Sequence, residues 1–281
     1  MHTTNVVAVT EAVTEAGAIV LWRKEGAVNL AALTSRWLDQ GLDPKLLPEL
    51  PTPVQALRLA VQEQGSKRRL VRPIKGGFAI VNEQEVGGQL DYQVECSVKI
   101  TNGRPDFSTL GQTSQEVTGA FDRVLTEVSI DSMSAWLVDL ATSKLHAVSL
   151  REGGGVYFVP FAQVATWRKM VAAIEGASAY KLYEIPALSS DSAVEAILDA
   201  VINEAKAEAD AMAAELADPE STLGKRAMNT RITRCNAALA KLAAYDTLLG
   251  GKLDAIKDQV GDLQVGWSEA CLAADIEEDA K

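Results

Sequence analysis

Apolar residues in this chain recur with two periods, and the places where one period gives way to the other predict its elements. Val54, Leu57, Ala60 and Val61 step by three and four, the spacing of one helical face. Residues 69–74 and 78–82 follow as strand-like runs around the turn Lys75-Gly76-Gly77. The order returns later, with Met133, Trp136, Leu137 and Leu140 on one helical face, then residues 145–150, a turn over 151–155, and residues 156–159. Glycines at each tip supply the positive φ that tight hairpins need. A helix running into a β-hairpin is how a winged-helix domain ends, so the two units are expected to be structural repeats.

Between and around these units the pattern is mixed. Residues 17–21 form an apolar run of ambiguous type before a turn at 22–26. Asn29 is placed to cap a helix carrying Leu33 and Trp37, and Pro44, Pro48, Pro51 and Pro53 break any helix before one starting at Thr52-Pro53. Residues 92–100 alternate cleanly, as a half-exposed strand does. Further helices are predicted over 114–128 and 161–174.

From Val194 onward the chain reads as helix. Ile197, Leu198, Val201, Ile202, Ala205, Met212 and Leu216 keep helical spacing, and Asp218-Pro219 suits the cap and first turn of a second helix. Then Ile232, Cys235, Leu239, Leu242, Tyr245, Leu249, Leu253, Ile256, Val260, Leu263 and Trp267 step by three and four for about five heptads, a coiled-coil seam. Two helices of about 28 residues would form a hairpin of roughly 40 Å. Gly250-Gly251 predicts a bend in the second or a break into a third helix. The fold class expected is α+β, with tandem winged-helix-like modules followed by a long helical hairpin or coiled-coil tail. The expected domains are 1–110, 111–189 and 190–281.

Composition narrows the function classes. The chain has 281 residues, 47% of them hydrophobic, enough for a real core. No window is apolar over the roughly 18 residues of a membrane span, and nothing at the N-terminus reads as a secretory signal, so a cytoplasmic protein without a membrane partner is expected. Cys96, Cys235 and Cys271 form no CxxC pair, which fits a reducing compartment. The net charge of −11 is uneven: residues 1–190 carry 18 Lys and Arg against 20 Asp and Glu, and residues 191–281 carry 9 against 18. The acidic C-terminal third would repel a phosphate backbone, so any nucleic-acid contact belongs to the first two thirds.

Catalytic patterns are sparse. His2 and His146 offer no set of imidazole ligands for zinc, and His146 falls in a predicted strand. Gly224-Lys225-Arg226 lacks the upstream glycine and the following hydroxyl of a P-loop. Gly153-Gly154-Gly155 reads as a hairpin turn before it reads as a phosphate cradle, and Asp131 with Asp139 is an ordinary solvated pair. No catalytic residue, metal ligand or cofactor is expected. Lys67, Arg68, Arg69, Arg72 and Lys75 do form a basic cluster at the first hairpin, where a wing would meet phosphates; a charged edge strand explains the same residues. Leu253, Ile256, Val260, Leu263 and Trp267 extend the helical stripe beyond what one facing helix covers, so they are the candidates for self-association.

Residues 69–73 (RLVRP) with 77–81 (GFAIV), then 155–160 (GVYFVP), Trp167-Arg168 and 183–186 (YEIP), resemble an uncharacterised family of phage and bacterial proteins over roughly residues 17–265. The resemblance implies a phage or mobile-element context and assigns no activity. The function expected is a non-catalytic assembly protein, a homo-oligomer through its tail, holding a protein partner with its winged-helix-like modules. Nucleic-acid binding through residues 67–75 is the alternative; a small-ligand binder or enzyme with a pocket between modules is a third.

Overall fold

A computed structural model describes residues 14–65, 69–86, 89–218 and 223–279. In chain order the elements begin with β1 (Glu15–Arg23), β2 (Val28–Asn29), α1 (Leu30–Asp39), α2 (Pro53–Gly65), β3 (Arg69–Ile74), β4 (Gly77–Val86), β5 (Gln89–Thr101), β6 (Arg104–Phe107) and α3 (Gln112–Thr126). They continue with β7 (Glu127–Val128), α4 (Ile130–Asp139), β8 (Val148–Ser149), β9 (Tyr157–Pro160), α5 (Phe161–Ala177), β10 (Lys181–Leu188), α6 (Asp191–Ala217), α7 (Lys225–Ala243), α8 (Asp246–Leu249) and α9 (Asp254–Asp279). The fold is mixed α+β with antiparallel sheets. It divides into two compact units, one of residues 1–23, 137–169 and 181–281, the other of residues 24–136 and 170–180. Three successive domains were expected; the compact units are instead interleaved along the chain, because strands distant in sequence pair.

In the unit of residues 24–136 and 170–180, Asn29 caps α1 as its sequence suggests, its side chain accepting from the Ala32 N–H at 3.0 Å. The Pro-rich stretch is held by two tryptophans: the Trp37 indole donates to the Asp43 carbonyl at 2.9 Å, and the Trp136 indole to the Leu46 carbonyl at 2.7 Å. Thr52 and Gln55 then close the start of α2. Strands β3, β4, β5 and β6 form a four-stranded antiparallel sheet in sequence order. One face of it packs on α2 and α3 around Leu57, Val61, Ile80, Val98, Val117 and Phe121. Gly77 allows β4 and β5 to approach, since a Cβ there would lie 2.1 Å from the Val98 carbonyl oxygen.

In the other unit, β1 is central to a sheet ordered β10-β1-β9-β8. The ambiguous apolar run at 17–21 is therefore a strand, paired antiparallel with β10 from Glu15 opposite Leu188 to Arg23 opposite Lys181. Ala16, Val148, Phe158 and Ala187 from this sheet share a core with the C-terminal helices. α6, of 27 residues, runs about 40 Å. Ion pairs Arg231–Glu215 at 2.8 Å and Arg234–Glu208 at 3.3 Å set α7 antiparallel to α6. The chain turns at 244–253, where Gly250 has φ 56, and α9 packs on both α7 and α6.

Several expectations are corrected. The C-terminal region holds three long helices where the hairpin reading had two: of the two outcomes expected at Gly250-Gly251, the break into a third helix is the one found, over Tyr245 to Leu253. Asp218 ends α6, and Gly224, not Asp218, stands at the start of α7. The first hairpin pairs over six residues of β3, but the second pairs only Val148 with Phe158 and Ser149 with Tyr157. Residues 145–147 are not strand: α4 continues as a wide turn of π-helix over Leu140–Lys144, and His146 lies at φ 56. The two helix-to-hairpin units thus belong to sheets of different build. All three cysteines are buried and free.

Candidate functional site

The basic cluster is split by the fold. Arg69 opens β3 beside the end of α2, and its guanidinium donates through Nη1 to Gln64 Oε1 at 2.6 Å and Glu116 Oε2 at 2.8 Å. Its Nε stands 3.3 Å from Glu95 Oε2, and Thr113 Oγ1 donates to the other oxygen of Glu95. A bulge makes this possible: Ile80 faces Cys96 and Val81 faces Val94, so Glu95 is an extra residue turned toward α3. Gln64 and Thr113 are buried, and burial, then the neighbouring Glu95, pushes the Cys96 thiol up from its ordinary range. Arg69, sandwiched between two carboxylates, serves the junction of sheet and helices. It is not presented to a phosphate.

Arg72 is exposed on β3 and Lys75 exposed in the turn; Lys67 and Arg68 lie outside the described residues. Directly opposed residues of antiparallel strands share a face. The register therefore sets Leu70, Val81 and Val94 in one row, Arg72, Ala79 and Ser97 in the next, and Ile74, Gly77, Lys99 and Asp106 in a third. Glu83 opposite Tyr92 adds a row beyond Val81 and Val94. These rows lie on the face turned away from α2 and α3. Leu70, Ile74, Tyr92 and Val94 are 38%, 46%, 46% and 64% exposed, apolar side chains on one sheet face that flank the already buried Ala79 and Val81 of β4. Charge on the face is polarised: Lys75 and Lys99 mark one end with Arg72 just inside it, Asp106 lies 3.7 Å from Lys99, and Glu83 marks the opposite end.

The alternation at 92–100 marks a half-exposed strand but not the sheet that makes its exposed half a surface. The signals are the dipeptide Gly87-Gly88, which lies outside the described residues, and Asn102-Gly103 in the turn between β5 and β6. Asn102 at φ 52 and Gly103 at φ 76 have the two positive φ values of such a turn.

The helical stripe proposed for self-association faces inward. Leu253, Ile256, Val260, Leu263 and Trp267 are all buried in the core shared by α6, α7, α9 and the sheet of their own unit. The surface that the stripe required beyond one facing helix is supplied by α6. These five side chains are accordingly not on offer to a second copy.

His146 is half-buried, and burial together with Lys241 holds its imidazole below the ordinary histidine range. A depression of about 610 Å³ lies over α1 and α3, lined in part by Leu30, Leu38, Leu50 and Leu125. Among the described residues, no group of three or more His, Cys, Asp or Glu side chains is arranged to hold a metal ion, and no helix is long and apolar enough to cross a membrane.

The chain belongs to a family of unknown function, DUF6744, whose profile matches residues 17–276. Comparison with curated proteins finds no match, and neither does comparison with solved structures.

Proposed function

We propose that this member of the DUF6744 family is a non-catalytic assembly protein that holds a protein partner on the outer face of the β3–β6 sheet. The observation that carries the reading is the grouping of Leu70, Ile74, Tyr92 and Val94, all exposed, on a single face with opposite charges at its two ends. Solvent gains when such a patch is covered, and the mixed charges orient what covers it. The partner that fits is a protein surface with an apolar strip flanked by both signs of charge. In finer fold terms, α2 with β3 and β4 keeps the helix-to-hairpin order of a winged helix, with the wing widened by β5 and β6 into a sheet.

A second reading keeps nucleic acid as the partner, favoured by Arg72, Lys75 and Lys99 lying toward one end of the same face. A polyanion wants a track of one sign, and Glu83, Asp106 and the overall charge of −11 work against it. A photo-crosslinking residue at Val94, introduced in cells, tests the main reading. Discrete protein adducts from Val94 and none from Glu195 on α6 are expected; no protein adduct at Val94 overturns it.

A further inference from the structure

We infer that the occupant of this face is a second copy of the chain, the two sheets stacking face to face with their strands reversed. The inference rests on the reading of the β3–β6 face as a protein-binding surface. Closed symmetric pairs present the same patch twice, so the patch must complement itself. A twofold axis lying between the sheets can run along the strands or across them. An axis along the strands brings the two Lys99 ends together and the two Glu83 ends together, which repels. An axis across the strands reverses the ends, bringing Glu83 and Tyr92 of one copy over Ile74 and Lys99 of the other.

The rows then match in shape as well as charge. With the axis midway between the row of Leu70, Val81 and Val94 and the row of Arg72, Ala79 and Ser97, each copy's apolar row lies over the other's Ala79 and Ser97. The small side chains of that row leave room for Val94, the most exposed apolar residue of the face. Sheets packed this way sit about 10 Å apart. Arg72 reaches from the same row toward the apolar row of the other copy, where its stem covers Leu70 and its guanidinium reaches the rim.

The size of the face sets the strength. Four strands at about 4.8 Å by four rows at about 6.8 Å give at most about 520 Å² of plane per copy, short of the standard interface. A face of this size fits a reversible pair better than an obligate one. This locates self-association on the sheet, away from the helical stripe.

Sedimentation equilibrium of the full chain across micromolar concentrations tests it. A monomer–dimer equilibrium is expected. Val94→Glu should give a monomer with an unchanged circular dichroism spectrum, since the side chain is exposed. Lys99→Glu and Glu83→Lys should each weaken the dimer by roughly tenfold, both copies losing the contact. The double variant should regain most of the loss. A chain that stays monomeric, or a dimer indifferent to Val94→Glu, overturns the inference. If the chain is monomeric while Val94 still crosslinks a different protein in cells, the assembly reading stands and only the identity of the partner fails. A complex that forms only with added oligonucleotide, and is lost in Lys99→Glu, also overturns it and makes nucleic acid the occupant.

Discussion

The Tyr245 hydroxyl donates a 2.7 Å hydrogen bond to the carbonyl of His146. The donor stands at the corner after α7, and the acceptor is a residue held at φ 56 just before β8. The Tyr245 ring also lies 6.1 Å from that of Phe158 on β9. One side chain thus joins the helical corner to the sheet of the same unit. Burial, then the charge of Glu204, pushes its hydroxyl far above the ordinary phenol range, so it remains a donor at any working pH.

Tyr245→Phe keeps the ring and leaves the His146 carbonyl without this donor. The expected loss is about 1–3 kcal/mol, the usual cost of a buried polar group left unpaired. Thermal unfolding should register it as a lower Tm, with the far-ultraviolet spectrum unchanged.

His146 makes stability depend on pH in a defined direction. Its folded pKa lies below the unfolded value, so the unfolded chain binds the proton first as pH falls. The contribution is full above the unfolded value of about 6.5 and is lost as pH drops from there through the folded pKa. His146→Asn tolerates the left-handed backbone and does not titrate. Its Tm should change less between neutral pH and mildly acidic pH than that of the parent chain; equal slopes would contradict this account.

Arg69 and Arg72 should separate cleanly. Arg69→Ala leaves Glu95 and Glu116 facing each other across a partly buried junction, and about 3 kcal/mol of stability should be lost. Arg72→Ala removes an exposed side chain and should stay within about 0.5 kcal/mol. Urea unfolding of the two variants measures the difference.

Two neighbouring glycines differ in what constrains them. At Gly76 the φ of 78 is the only obstacle, since nothing lies within 4 Å of an added Cβ, and Gly76→Ala should cost about 1–2 kcal/mol. At Gly77 a Cβ would strike the Val98 carbonyl, so Gly77→Ala must force β4 from β5 and cost more. Comparing the two Tm values decides the order.

Leu253→Ala tests the inward-facing stripe. Removing a fully buried leucine should cost about 2–5 kcal/mol. The sedimentation behaviour of the folded variant should match that of the parent chain, because Leu253 meets residues of its own chain. A change in association without loss of stability would instead place this residue at an interface.

What the sequence by itself determined are features set within a turn or two of chain. Asn29 and Thr52-Pro53 mark the starts of α1 and α2 because a cap needs only its neighbours. The alternation at 92–100 marks β5, and the helical steps after Val194 mark the tail, because periodicity reports which side of an element is apolar. Asn102-Gly103 is equally local and identifies the turn between β5 and β6. The tertiary structure alone decided which elements meet. No local pattern says that β1 pairs with β10, that α6 covers the stripe from Leu253 to Trp267, or that Glu95 and Glu116 claim Arg69 out of a run of basic residues. Periodicity names the face that must be buried and leaves its partner open, and the partner here comes from distant parts of the chain through shape and charge that exist only once they are brought together.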